Sequence, residues 1–553
     1  MASEQIKSEA SPVSPKNPDT SAKIDVVVIG AGVAGLTAAA LLAKAGLKVA
    51  LYEREPQAGG CLAAFQRGCF TFDTSIHWLN QFRPKGFTYR IHHYIDEEGL
   101  CYPQLNRIHR YKGTARDYIL TSNPHEFRDQ LLQDFPSEAA GINALFRDAE
   151  TLGTHLLYLD DRMRAACTMT FREKLSHAFG MMRWVLPIRH LAMTSANKGL
   201  HRYFNSPELL DLFHSRDTLM SVLVPIAFAF TGDFQALPKG GGKTVVDWLT
   251  ANIEKNGGKI HLNSPVREVL VDEHKVARGV TLETREVIRS TYVIGACDST
   301  LLFSQMVPKG AFFDRWLRRM SQADLYHSSF SIYIGLDCSP SLLGLGEELV
   351  HLTEDSVSPE ERVDGCAETT SISVFAPSFR DPSLAPPGKG TLQIQCPAYL
   401  AYQDCWKTEK GLVRGEAYQQ LKKQYADVLI ERVERNLIPQ LRQHIEEISI
   451  ATPVTFLRYT SNRAGGIMGL RPTPRNIRSG LAQLTTPIKN LLLGSQWATV
   501  GGGVPIATKT AVNASLLILR ELRPASFQVL KHVVDGTVNK GSSNNLVGNN
   551  ASL

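Results

Sequence analysis

The segment "IDVVVIGAGVAGLTAAALLAKAGLKVALYER", residues 24–54, restricts the possible folds more than any other part of the chain. Val26 to Ile29 form an unbroken apolar run, as a strand buried on both faces requires. Gly30 permits a sharp turn, Gly32 lets backbone approach a phosphate, and Gly35 lets the next helix pack closely on the strand. Ala31, Val33 and Ala34 complete the turn and open the helix, whose free N–H groups carry partial positive charge toward an anion. Glu53 closes the following strand, where an acid accepts hydrogen bonds from ribose hydroxyls. Glycine spacing alone is a weak signal. With the buried strand, the Ala/Leu-rich helix, Gly46 and Glu53 all in place, it specifies a dinucleotide site. Arg54 does not by itself select a 2′-phosphate, because the acid beside it is retained.

At 553 residues, two domains or one with large insertions are expected. The hydrophobic fraction of 43% is enough for a large core. A net charge of +6, spread along the chain, points away from nucleic acid and tolerates an anionic membrane surface. Nine cysteines without a C-x-x-C pair give neither a zinc site nor a disulfide framework, so no metal is expected and a reducing, cytoplasmic setting is. Residues 1–22 lack a secretory apolar region, and the apolar run near 219–230 is too short to span a bilayer. The expectation is a protein neither secreted nor transmembrane, cytoplasmic or peripheral on a membrane.

The pattern predicts strand, turn, helix and strand over 24–53, irregular sequence to about 105, and helices from about 124 to 220. An α/β stretch follows from 238 to 296. "KIHLNSPVREVLVDEHKVARGVTLE" alternates like antiparallel strands, with further strands at 327–337 and 391–396. A long amphipathic helix ends before Pro439, and an apolar helix runs from about 506 to 522. The predicted class is therefore α/β, with a discontinuous Rossmann-type nucleotide domain (24–105, 235–300 and 480–525) and an inserted α+β substrate domain (106–234 and 301–479). Residues 1–22 and 534–553 are expected as disordered tails.

"GGCLAAFQRGCFTFDTSIHWL", following the first motif, resembles the phytoene desaturase, carotenoid isomerase and retinol saturase branch of the FAD-dependent amine oxidase-like flavoproteins. Its Ile76-His77-Trp78 ending is most similar to the retinol saturase end. The middle block around Val266 and the block "NLLLGSQWATVGGGVPIATKTAVNAS" are similar to two further family motifs. The resemblance implies a glutathione reductase-like fold and FAD as cofactor. It implies FAD contacts from Gly59, Gly60, Cys61, Val266, Gly494, Ser495, Gly502, Gly503 and Val504. Cys61 stands where the family usually has a basic residue. Ser495 stands where it commonly has an acid, so ribitol contacts are expected from backbone N–H groups and the helix after Pro505. Ser75 replaces a customary glycine.

The implied reaction is desaturation, saturation or cis–trans isomerisation of a polyene or isoprenoid lipid, with an unspecified electron partner. A hydrophobic small molecule needs a long apolar pocket, and "DTLMSVLVPIAFAF" (217–230) is a candidate wall, with a buried core element as the alternative. His77 is the candidate catalytic residue, as a proton donor whose ordinary pKa lies near neutrality, against a structural histidine. Asp73 is expected to hold a local turn or bond a backbone amide. His92–His93 lacks partners for a metal role. "HAFGMMRWVLPIRHLAM" (177–193) suits an interfacial membrane element or a core helix pair. Two other readings remain open: a flavin amine oxidase, needing an aromatic cage to which Trp497 would belong, and a non-catalytic flavin- or lipid-binding protein.

Overall fold

In the computed structural model, which describes residues 24–537 apart from 115, 161 and 482, the apolar run becomes strand β1 (Ile24–Ile29) inside a seven-stranded sheet. Its side chains alternate between two cores. Val26 and Val28 pack with helix α1 (Val33–Lys44) and with helices Gly241–Lys255 and Val504–Leu522. Val27 and Ile29 pack on the other face, with Leu302, Phe303 and Trp316. A strand covered on both sides has no place for a polar residue, which explains the continuous run.

β1 pairs in parallel with β2 (Val49–Tyr52) on one side and with Val287–Gly295 on the other. Leu491–Leu493 adds a parallel strand beyond Val287–Gly295, and Lys259–His261 adds one beyond β2. The chain thus returns to one parallel block after two long excursions. Val266–Val271 and Ala277–Leu282 form an antiparallel meander on the first part of Val287–Gly295. The alternating segment predicted as wholly antiparallel therefore splits, since Lys259–His261 joins the parallel sheet.

The two excursions build a second seven-stranded sheet together. Arg107–Lys112 and Asp117–Thr121 come from the first; Ser328–Leu336, Leu349–Leu352, Ile372–Phe375, Gly390–Ala398 and Ile445–Ala451 come from the second. The join is the parallel pairing of Arg107–Lys112 with Leu349–Leu352; the other pairings are antiparallel. Helix Glu416–Asn436 covers one face through Leu421, Leu429 and Val433. Helices Pro124–Asp134, Ala139–Asp160 and Leu219–Phe230 form a further core with Leu105, Ile108 and Leu120.

Three expectations need correction. The stretch read as irregular holds a hairpin, Ala64–Arg67 with Phe70–Asp73, and helix Phe87–Ile95. Helix Pro524–Val534 continues past 525, and Val534, where a tail was expected to begin, is fully buried. Phe527, Leu530 and Val534 recur at helical spacing and pack into the core of the parallel layer, against which Phe87–Ile95 also lies. Of the expected tails, residues 1–22 and those beyond 537 lie outside the described residues. All nine cysteines are free thiols. No helix among the described residues is long and apolar enough to cross a membrane.

Candidate functional site

At the end of β1 a cavity of about 440 Å³ opens between the two layers. Gly30, at φ 102°, donates its N–H to the Tyr52 carbonyl at 2.8 Å, and this turns the chain out of the sheet. A Cβ on Gly35 would lie 2.0 Å from the Gly30 carbonyl oxygen, so helix α1 packs against the turn only because that atom is missing. Gly32 differs. Its φ of −69° suits any residue, and no atom lies within 4 Å of where its Cβ would be. The missing side chain leaves open cavity.

Gly59 and Gly60 lie directly on this turn. The Gly59 N–H donates to the Ala31 carbonyl at 2.8 Å, and a Cβ on Gly60 would stand 3.3 Å from Gly32 Cα. Both have positive φ, 123° and 57°, which glycine adopts without steric cost. The second glycine pair is thus bonded to the first glycine turn, although most of α1 and all of β2 separate them in sequence.

Two helix N-termini open on the cavity. Helix α1 starts at Gly32 and helix Val504–Leu522 at Gly503 (φ 88°), neither with a side-chain cap. Val33, Ala34 and Val504 line the cavity, so uncapped N–H groups face it from two directions. Pro505 sits inside the first turn of the second helix, where its missing N–H costs nothing, so this helix begins slightly earlier than predicted.

The remaining cofactor candidates divide into lining and supporting residues. Gly30, Gly32, Glu53, Arg54, Gly59, Gly60, Cys61, Val266, Ser495, Gly502 and Gly503 all line the cavity. Ala31, Gly35 and Gly494 do not. Ala31 donates its N–H to Glu53 Oε2 at 2.7 Å, fixing the acid at the rim, while Glu53 Oε1 accepts from the Glu55 N–H at 3.0 Å. Gly494 packs against Ile294, where a Cβ would come within 2.5 Å. Arg54 pairs with Glu55 at 3.1 Å and bonds Ser461 and the Arg458 carbonyl. Burial pushes the Cys61 thiol up to about 11, so it supplies no negative charge. Ser495 Oγ donates to the Cys297 carbonyl at 2.7 Å and accepts from the Trp497 N–H at 3.3 Å. Its side chain is therefore engaged with backbone.

Asp73 is buried, and its Oδ1 accepts the Gly242 N–H at 2.8 Å, in the first turn of helix Gly241–Lys255. Burial pushes its carboxyl up to about 7, the Gly242 bond working against this and Asp381 with it. Its role is to hold an amide, as expected. Residues 73–77 are strapped to the second sheet. Gln393 donates to the Asp73 carbonyl at 2.9 Å, Tyr333 to that of Thr74, and Arg380 to that of His77. These straps bring His77 and Trp78 to the cavity wall.

The setting of His77 alters the role expected for it. Burial first, then the Arg380 guanidinium, hold its imidazole neutral with a pKa near 3, while the neighbouring Gln395 side chain works the other way. Phe375 stands edge-on at 4.1 Å. Both effects disfavour protonated imidazole near neutrality, against the ordinary pKa on which a proton-donor role was premised. Behind it lie His109 and His351, hydrogen-bonded to one another at 3.0 Å, with Trp78 edge-on to His109. Burial is the main cause lowering both, His351 to about 4.

The segment 217–230 does not line this cavity. Helix Leu219–Phe230 packs on Ala139–Asp160 instead, because its mean composition is apolar all round and one core consumes it. His92, at 2.8 Å from the Tyr102 hydroxyl and stacked on Trp248, is a packed core residue. Asp337, Cys338 and His444 bring three possible metal ligands together, with Asp337 and His444 already hydrogen-bonded at 2.9 Å. Sequence reasoning missed Arg380, Gln395, Phe375, His109 and His351, which carry no local motif and meet His77 only through the second sheet. It also missed cavity residues Tyr459 to Asn462, Ile467 and Met468.

A parallel sheet, two glycine turns in contact and two uncapped helices on one cavity make a site of the kind that receives a nucleotide's phosphates. The comparisons give the family. A profile described as flavin containing amine oxidoreductase matches residues 33–519, and the chain belongs to that family. It is a flavoprotein oxidoreductase. An all-trans-retinol 13,14-reductase of Danio rerio is 25% identical, over 94% of this chain and 90% of that protein. A 4,4'-diapophytoene desaturase of Methylomonas sp is 25% identical over 78% of this chain and 82% of that one. A chloroplastic prolycopene isomerase of Daucus carota is 24% identical over 88% and 78%. Among solved structures, cyclohexylamine oxidase from Brevibacterium oxydans shares the fold, with a TM-score of 0.56 at 14% identity over 91% of this chain and 100% of that one. The resemblance to the desaturase, isomerase and retinol saturase branch holds.

Proposed function

We propose that the chain is an FAD-dependent oxidoreductase acting on a C–C bond of a polyene or isoprenoid lipid, by saturation, desaturation or cis–trans isomerisation. The observation that carries FAD is the open space at Gly32. A cradle free of side chain, flanked by Gly59–Gly60 and two uncapped helix N-termini, suits a pyrophosphate. Glu53 at the rim suits ribose hydroxyls. In this reading residues 24–105, 235–300 and 480–534 form the cofactor layer, while the segment 459–468 and the second sheet close the remaining wall of the cavity.

A bound flavin supplies hydride transfer to or from carbon. The chain's own residues position the lipid and exclude water. Leu62, Ile76, Leu79, Ile467 and Met468 give the cavity apolar walls that suit a hydrocarbon and offer an amine little. His77 is held as neutral imidazole at this wall, its Nδ1 buried without a hydrogen-bond partner. The names of the relatives, which concern retinol and carotenoids, favour a polyene over an amine. A lipid substrate also favours a protein that works peripherally at a membrane.

The test begins with the visible spectrum of purified protein. A colourless protein that gains no flavin on addition of FAD would overturn the reading. Holoprotein is then offered retinoid, lycopene-type and amine compounds under oxidising and reducing conditions. Conversion of a polyene is expected; flavin bleaching by an amine, with no polyene changed, rejects it.

A further inference from the structure

Helix Phe171–Val185 has no buried residue along its whole length. It is nevertheless well made. Thr170 and Glu173 form a reciprocal capping box, and Glu173 pairs with Arg164 at 3.0 Å and with Lys531. On its inner side Trp184 stacks on Tyr158 at 4.3 Å. On its outer side Phe171, Leu175, Phe179, Met182 and Leu186 are 81%, 57%, 71%, 56% and 45% exposed. At about 100° per residue these five fall within an arc of roughly 80°. A continuous apolar stripe on an otherwise folded surface marks an interaction site.

Charge identifies the partner. From 171 to 202 the chain carries Arg172, Lys174, Arg183, Arg189, Lys198 and Arg202, all exposed, against the single acid Glu173, which is held by its two cations. Arg172 and Arg183 fall along one edge of the stripe and Lys174 along the other. We propose that this helix, with Leu186 and the exposed Met193 beyond it, lies in an anionic lipid surface, apolar stripe inward and cations at the headgroups. A twofold contact with a second copy would set the same cations against each other. The segment picked out by composition, 177–193, thus starts too late, because Phe171 and Leu175 head the stripe, and Ile188 and Leu191 turn inward.

The segment leading into the helix is tied to the body of helix Val504–Leu522. Asn513 accepts the Ala165 N–H at 2.6 Å and donates to the Met163 carbonyl at 2.9 Å, and Arg520 donates to the Cys167 carbonyl at 3.0 Å. Both belong to helix Val504–Leu522, whose first turn lines the cavity. A lipid-soluble substrate would meet the protein on this face. The inference rests on the functional reading for its lipid substrate and names the element that meets the membrane; turnover of a detergent-dispersed polyene, measured without vesicles, tests that reading separately.

The test is co-sedimentation of the full chain with phosphatidylcholine vesicles, with and without phosphatidylserine. Wild type is expected in the pellet with phosphatidylserine, less without it, and less again in high salt. The triple variant Phe171→Ser, Leu175→Ser, Phe179→Ser should partition at least about tenfold more weakly, with its visible spectrum and thermal midpoint unchanged. Replacing Arg172, Lys174 and Arg183 by Gln should remove the preference for phosphatidylserine while leaving the fold intact. The proposal is overturned if wild type ignores both vesicles, or if the serine variant binds as wild type does. It also falls if wild type is a dimer that the serine variant converts to monomer, which would assign the stripe to a second copy.

Discussion

Replacing Gly32 by Val separates the fold from the cofactor, because the structure gives that position ordinary backbone angles and empty surroundings. With φ at −69° and no atom within 4 Å of the Cβ position, the new Cβ meets nothing in the protein itself and its methyl groups extend into the cavity side. Loss of glycine at the start of α1 costs a few tenths to about 1 kcal/mol, since valine is a poor N-cap. Reduced freedom of the unfolded chain offsets about 0.4–1 kcal/mol of that. The cofactor-free protein should therefore keep its stability to within about 1 kcal/mol. The added carbons occupy the space proposed for the pyrophosphate, so FAD affinity should fall by at least about two decades, some 2.8 kcal/mol. The assay pairs a visible spectrum with thermal melts at rising FAD. Wild type should gain roughly 2.7 kcal/mol at a hundredfold excess over Kd, and the variant almost nothing. Full flavin occupancy in Gly32→Val would refute the placement. A collapse of the cofactor-free melt would refute the claim that the space is free.

The contrasting substitution, Gly35→Ala, should damage the fold by about 3 kcal/mol or more, because its Cβ would lie 2.0 Å from the Gly30 carbonyl; a soluble variant with a wild-type urea midpoint would count against this. Since His77 titrates near 3 in the fold and near 6.5 unfolded, it takes up a proton only in the unfolded chain between those values, and stability is lost as pH falls through that window. Its share between pH 7 and 5 is roughly 2 kcal/mol, which His77→Gln should remove from the pH dependence of the urea midpoint. Turnover should correspondingly show no inflection near 6.5, and one that vanished in the Gln variant would mean that His77 does act as an ordinary acid. Asp73 has the opposite sign. Raised to about 7, it makes the fold less stable as pH rises from about 4 through 7, so Asp73→Asn, which keeps an acceptor for Gly242, should equal or exceed wild type at pH 8 while Asp73→Ala loses about 1–3 kcal/mol.

What could be read from the chain was local. The run Val26–Ile29, the three glycines after it and Glu53 lie within one strand–turn–helix–strand unit, and each residue answers to a constraint set by its neighbours. Backbone geometry at Gly30 and Gly35 follows from that unit alone, as does a cofactor class when Gly59–Gly60 and the 494–504 block are added. The helix from Glu416 and the strands near 327–337 and 391–396 were legible for the same reason, their hydrophobic period being intrinsic to the segment. Short strands such as Arg107–Lys112 and Ile372–Phe375 were not, because their strand character depends on partners far away in sequence.

Tertiary structure decided everything that depends on which distant segments meet. Pairing of Arg107–Lys112 with Leu349–Leu352 merges two insertions into one sheet and joins His109 to His351, while straps from the second insertion to residues 73–77 bring Arg380, Gln395 and Phe375 to His77. A histidine's charge is set by burial and neighbouring cations, neither of which its own sequence records, so the acid suggested by an ordinary pKa becomes a neutral imidazole. Likewise 217–230 and 171–186 are both helical stretches with apolar residues, the first apolar throughout and the second amphipathic. The first disappears into a core and the second is left on the surface, because packing surfaces supplied by other elements exist for one and not for the other.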